Sequence, residues 1–120
     1  MSENDERRIA AAVERYVRAM SMAAETDLRA AFHPSASIIG NYGGAVEWLT
    51  VDDYVKEVAA AGLPPNENPD WKLLSLDITQ DAAVVKVEDE FGGMTFTDYL
   101  SLLEIAGKWK IVSKLYHLHT

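Results

Sequence analysis

The chain has 120 residues, 48% apolar and 25% charged, so one globular domain over residues 1–120 is expected. A formal net charge of −8 disfavours nucleic acid and anionic membrane surfaces as partners, and no apolar run approaches the ~20 residues of a membrane span. The absence of cysteine excludes disulfides, thiol catalysis and cysteine metal sites. The opening "MSENDERRIAAAVERY" carries charges where a leader peptide would need an apolar core, so a cytoplasmic location is expected.

Ile9, Val13, Tyr16, Val17 and Met20 recur at helical spacing, which predicts a helix from about Asp5 to Ala23. A second, short helix opens at Glu25 or Thr26, has Leu28, Ala31 and Phe32 on its apolar face, and is ended by Pro34. His33 then sits at a helix end, where its ring suits the negative pole. "ASIIGNYGGAVEWL" reads as a hairpin turning at Gly43-Gly44. "TVDDYVKEVAAAG" reads as a third helix, with Thr50 capping it, Val51, Tyr54, Val55 and Val58 as its buried stripe, and Gly62 closing it. The prolines of "LPPNENPD" make a loop.

Four strands follow, over about Trp71–Thr79, Ala82–Phe91, Met94–Ile105 and Lys108–His117. Short links make neighbours antiparallel. The fold class is therefore α+β: three helices on one face of a strongly curved antiparallel sheet, a hairpin plus a four-strand meander, shaped as a cone with a cleft. Such clefts hold small ligands.

Alternation assigns the side chains to faces. Val85, Val87, Asp89 and Phe91 face inward on one strand, and Phe96, Asp98, Leu100 and Leu102 on the next. On the last strand Trp109, Ile111, Ser113, Leu115 and His117 share the inner face, and Lys110, Val112, Lys114 and Tyr116 the outer one. Tyr99, Leu103, Trp71 and Leu73 also fall outside, so a homodimer through the outer sheet face is expected. The lysines near the end read as a solvated or subunit-facing strand face.

Two inward carboxylates are costly unless paired. They can instead be wet at a strand end, flipped outward by a bulge, or satisfied by a tyrosine or histidine without doing chemistry. Tyr16, Asp89, Asp98 and His117 are the candidate catalytic group, as acids, bases or hydrogen-bond donors. With Phe32, Trp48, Tyr54 and Phe96 they make up the candidate ligand-binding set. Trp48, Trp71 and Trp109 also suit core or interface packing. His117 and His119 can share a face, but no third ligand lies in sequence reach, so no metal is expected, and no cofactor.

"LRAAFHPSASIIG", "GGAVEWLTVDDYV" and "FTDYLSLLEIAGKWKIVSKLYH" resemble the nuclear-transport-factor-2-like superfamily, also called cystatin-like, over nearly the whole chain. Within it the likeness is to the small bacterial "putative lumazine-binding" and SnoaL-like proteins, and more distantly to ketosteroid isomerase. The lumazine label implies a heterocyclic ligand, although no residue pattern here requires one. "VERYVRAM" is similar to the isomerase helix bearing a catalytic tyrosine, which puts Tyr16 in that place. "FTDYLSLL" is similar to the strand with a protonated aspartate, which puts Asp98 there. The isomerase's aspartate base has no counterpart, because Gly40 stands at its position in "SIIGNYG". The expected function is small-molecule binding, for an apolar or aromatic ligand. The alternatives are an isomerase, cyclase or dehydratase, or a structural subunit with a filled cleft.

Overall fold

The computed structural model describes residues 3–119. Among these, three helices and six strands follow in the order α1 (Glu3–Ser21), α2 (Glu25–Ala31), β1 (Phe32–Tyr42), β2 (Ala45–Thr50), α3 (Val51–Ala60), β3 (Trp71–Thr79), β4 (Ala82–Phe91), β5 (Met94–Ile105) and β6 (Lys108–His119).

The apolar stripe of α1 is buried as its spacing demands: Ile9, Val13, Tyr16 and Val17 are wholly inaccessible. α1 ends two residues earlier than expected, with Ala23 in the left-handed region at φ 51°. α2 stops before Phe32, whose backbone is already extended, so His33 and Pro34 belong to β1 rather than to a helix end. The His33 Nδ1 instead accepts a hydrogen bond from the Ser35 N–H at 3.0 Å. Gly43 and Gly44 make the hairpin turn at φ 61° and 85°. At α3 the Thr50 hydroxyl accepts from the Asp53 N–H at 3.1 Å, as a capping residue does.

The six strands form one sheet in the order β2-β1-β6-β5-β4-β3. The sheet is mixed rather than wholly antiparallel, because β1 and β6 pair in parallel. The connection through α3 and residues 61–70 carries the chain to the far edge, so the meander works back and its last strand closes beside the first. The helices cover one face, and the core lies between them and the sheet.

Two bulges change which side chains face that core. On β6, Ile111 pairs with Leu102 and Ser113 with Ser101, so Val112 is an extra residue with no partner. Beyond it the alternation inverts. Lys114 and Tyr116 are buried on the inner face, and Leu115 and His117 are exposed outside, opposite to the expectation for that strand. On β3, Leu74 is likewise unpaired between Leu73 and Ser75. Trp71 and Leu73 pack against the core, so they do not belong to the outer face. Tyr99 remains outside, 43% exposed.

Candidate functional site

The inner face of the sheet carries an ionisable cluster. Asp89 from β4, Asp98 from β5 and Lys114 from β6 are 1%, 1% and 5% exposed. Tyr16 from α1 donates its phenolic proton to Asp98 Oδ2 at 3.0 Å, the contact expected for these two groups. Lys114 Nζ donates to the Tyr54 hydroxyl at 2.9 Å. The ammonium also stands 4.4 Å from the Tyr54 ring centre, 5.3 Å from Tyr16 and 5.7 Å from Tyr116, a cage of three electron-rich faces. Phe32 packs edge-on against Tyr16 and Tyr54 and holds both rings in place.

Asp89 is the outlier. Neither of its carboxyl oxygens finds a hydrogen-bond donor among the described residues, and as the neutral acid it shares a hydrogen bond with Asp98. Asp98 Oδ1 also lacks a donor, but Oδ2 has Tyr16. Burial, and then the charge of Asp98, push the Asp89 pKa up to about 8. A carboxyl in that position is mostly neutral at pH 7. Burial pulls the Lys114 ammonium toward neutrality, but Tyr54, Asp98 and Asp89 outweigh it and the net shift is upward. The Tyr16 phenol is pushed up by burial and by Asp98. The cluster thus holds a fixed cation, a phenol donor and a carboxyl poised near neutral pH.

A cavity of about 120 Å³ reaches this cluster. Asp89, Lys114, Tyr54 and Tyr116 line it together with Phe91, Phe96, Ile38 and Met20. Its size is near the ~150 Å³ that accommodates benzene in an apolar core. Glu47, half-buried, and Glu57, exposed, also line it, and Glu47 accepts a hydrogen bond from the Tyr116 hydroxyl at 2.6 Å. Burial and the neighbouring Glu47 raise the Glu57 pKa. A wider groove of about 710 Å³ runs between α1, α2 and the β5–β6 turn, but it lies away from the cluster.

Of the residues singled out from sequence, Tyr16, Asp89, Asp98, Tyr54, Phe32 and Phe96 converge here. Two do not. Trp48 is 72% exposed on β2, and His117 is turned outward by the Val112 bulge. The His117 and His119 rings stack edge to face at 4.8 Å on the outside. Among the described residues no three histidine or acidic side chains gather as a metal site. Lys114, Tyr116 and Glu47 were missed. The signal for the first two was the adjacent apolar pair Ile111-Val112, which breaks alternation where the bulge falls.

The sequence profile of the family described as "Putative lumazine-binding" matches residues 4–117. The chain belongs to this family. A solved relative in the same fold, a nuclear-transport-factor-2-like protein of unknown function from Silicibacter pomeroyi, is 32% identical with a TM-score of 0.92, covering 99% of this chain and 100% of the other. One from Methylobacillus flagellatus is 29% identical with a TM-score of 0.90, covering 100% and 96%. A ketosteroid isomerase-like protein from Erwinia carotovora is 14% identical over 99% of both chains, with a TM-score of 0.78, and shares the fold. Among characterised proteins, the aldolase FrzH from a Cladobotryum species is 29% identical over 104 residues, 85% of this chain and 82% of the aldolase.

In this lumazine-binding-family chain Gly40 leaves no room for a side chain on that strand. A Cβ built on Gly40 would come within 2.6 Å of the Tyr116 ring, so the space a side-chain base would need is already filled. No helix among the described residues is long and apolar enough to cross a membrane.

Proposed function

We propose that this chain binds a small organic molecule in the cleft, its polar end against Asp89 and Lys114 and its apolar body against Phe91, Phe96 and Tyr54. The observation that carries this reading is the Asp89 carboxyl: buried on the cavity wall, with no hydrogen-bond donor of the described residues at either oxygen and only the acidic Asp98 beside it. Buried polar groups are normally satisfied, and an unsatisfied one facing a cavity is a place for a ligand to complete. A thermal-shift screen of small neutral heterocycles and carbonyl compounds tests it. Binding to the folded state raises the melting temperature by mass action. Compounds that stabilise the native chain and lose their effect on Asp89→Asn support the reading. A broad panel with no stabilising compound rejects it.

A second reading, an enzyme acting on a carbonyl compound, is favoured by the likeness to an aldolase and by a carboxyl tuned toward neutral pH beside a cation. The isomerase mechanism as such is not part of it, because Gly40 offers no base. A purely structural subunit fits less well with a cavity reaching an ionisable cluster. The proposal also includes a homodimer through the outer sheet face and a cytoplasmic location, which cell fractionation tests.

A further inference from the structure

We infer that the cleft takes a small, neutral, enolisable aldehyde or ketone, with the carbonyl oxygen on the Lys114 ammonium and the carbon beside it against Asp89, which removes its proton. The inference rests on the reading that the cleft holds a small organic molecule, and it names the substrate class and the step.

Lys114 has three N–H donors, of which Tyr54 takes one. Among the described residues no carboxylate lies within ion-pair distance of it, so its charge is balanced from further off by Asp98 and Asp89. Lys114 lines the cavity, and Tyr54 is the one hydrogen-bond acceptor its Nζ has among the described residues, which leaves donors to spare. A partial negative charge on a carbonyl oxygen meets this cation weakly, and a full enolate charge meets it strongly. The contact thus stabilises the transition state more than the ground state.

In the step itself, a carboxylate oxygen of Asp89 bonds to the α-hydrogen as the C–H bond breaks. The released electron pair forms the carbon–carbon double bond, and the carbonyl π pair moves onto oxygen beside Lys114. Return of the proton to carbon completes an exchange. Attack of the enolate on a second carbonyl carbon completes an aldol addition instead, with the Asp89 proton passing to the new alkoxide. No oxidant or other reactant is needed.

The lining selects against ready-made anions. Glu47 and the exposed Glu57 belong to it, so carboxylates and phosphates are repelled, while a neutral carbonyl is not. The retained charge on Lys114 bears on a second point. A protonated amine is not a nucleophile, so Lys114 serves as an electrostatic partner and not as a Schiff-base lysine.

Proton NMR in D2O tests this with acetone and propanal as probes and pyruvate as the anionic comparison. Native protein should speed α-hydrogen exchange of the neutral probes well above buffer and leave pyruvate unaffected. The rate should rise with pH through about 8 as Asp89 ionises among Tyr16, Tyr54, Asp98, Lys114 and Glu88. Asp89→Asn should cost roughly 10²-fold or more, as loss of a general base does. Lys114→Met should cost a similar ~10²-fold, as loss of an oxyanion partner does. Tyr54→Phe, a milder change that leaves the cation, keeps the test open if Lys114→Met does not fold: it should lower the rate without moving the pH midpoint of Asp89 far. Borohydride treatment with acetone should leave the chain mass unchanged, and an alkylated Lys114 would overturn the electrostatic role. Saturation-transfer signals from the probes without exchange would overturn the inference and leave the binding reading standing. Neither signal nor exchange for these probes, alongside hits in the thermal screen, would overturn the substrate class alone.

Discussion

A carboxyl 1% exposed, with no donor at either oxygen and the acidic Asp98 beside it, is tolerable only as the neutral acid, because burying an unpaired charge costs several kcal/mol. That cost has a pH signature. The folded Asp89 pKa is raised from 3.8 to about 8, so the folded state binds a proton that the unfolded chain has released. Stability from this group is complete below pH about 4, declines as pH rises, and is gone above about 8. We predict that Asp89→Asn, which keeps the shape and removes the charge, is more stable than the native chain at pH 8 and flattens the decline. Denaturant midpoints measured at pH 5 and pH 8 check this, and an equal pH slope in both proteins would count against a neutral Asp89. Gly40 supplies a second residue-scale prediction. Its missing side chain leaves room for the Tyr116 ring, which Glu47 holds by the hydroxyl. Gly40→Ala forces the ring aside and should cost about 1–3 kcal/mol of stability, read from the same denaturant curves.

At the scale of elements, β4 and β5 were legible and β6 was not. From Ala82 to Phe91 and from Met94 to Ser101 the strands pair without interruption, so counting by two from Val85 or Leu100 places Asp89 and Asp98 inside. Tyr16 follows from helical spacing in the same way. On β6 a single unpaired residue, Val112, inverts everything after it. Neither glycine nor proline marks it, and the adjacent apolar pair Ile111-Val112 is its one local sign. Hydropathy even argues the wrong way, because Leu115 is more apolar than Lys114 and is the one left outside. The buried lysine becomes intelligible only with its partners, the Tyr54 hydroxyl and three aromatic rings drawn from α1, α3 and β6. The parallel β1–β6 pairing was equally hidden, because contacts between distant segments leave no local pattern. The α3 start, by contrast, was written in Thr50 and Asp53. Thr50→Ala should lose about 1 kcal/mol, a fall of roughly 4 °C in melting temperature for a chain of this size. A change within scanning error would mean that the α3 cap adds nothing.

At the scale of the whole molecule, the bulges that fill the inner face also redraw the outer one. Lys114, Tyr116, Trp71 and Leu73 leave it, but Leu115 joins Tyr99 there. The ladder pairs Trp48 with Ile39, Ile39 with Leu115, and Leu115 with Tyr99, so these four lie in one row across β2, β1, β6 and β5. Trp48 is 72% exposed, Leu115 49%, Tyr99 43% and the nearby Val84 49%. Contiguous aromatic and aliphatic surface of this kind on a sheet face is more than a monomer usually carries, and tryptophan and tyrosine are typical of interface centres. A second copy can cover the row by two-fold pairing, which sets each patch against its own image. Lys86 and Glu88 flank the row on β4 and can pair at the rim, fixing orientation more than strength. The cleft opens on the opposite side of the sheet, so pairing leaves its mouth clear, and ligand binding should not depend on protein concentration. We predict that the native chain has twice the mass of one 13.3 kDa chain in multi-angle light scattering at micromolar concentration. Leu115→Lys combined with Tyr99→Lys should give the single-chain mass, with the helices unchanged by circular dichroism. A native chain that stays at the single-chain mass as the sample is concentrated removes the dimer from the proposal.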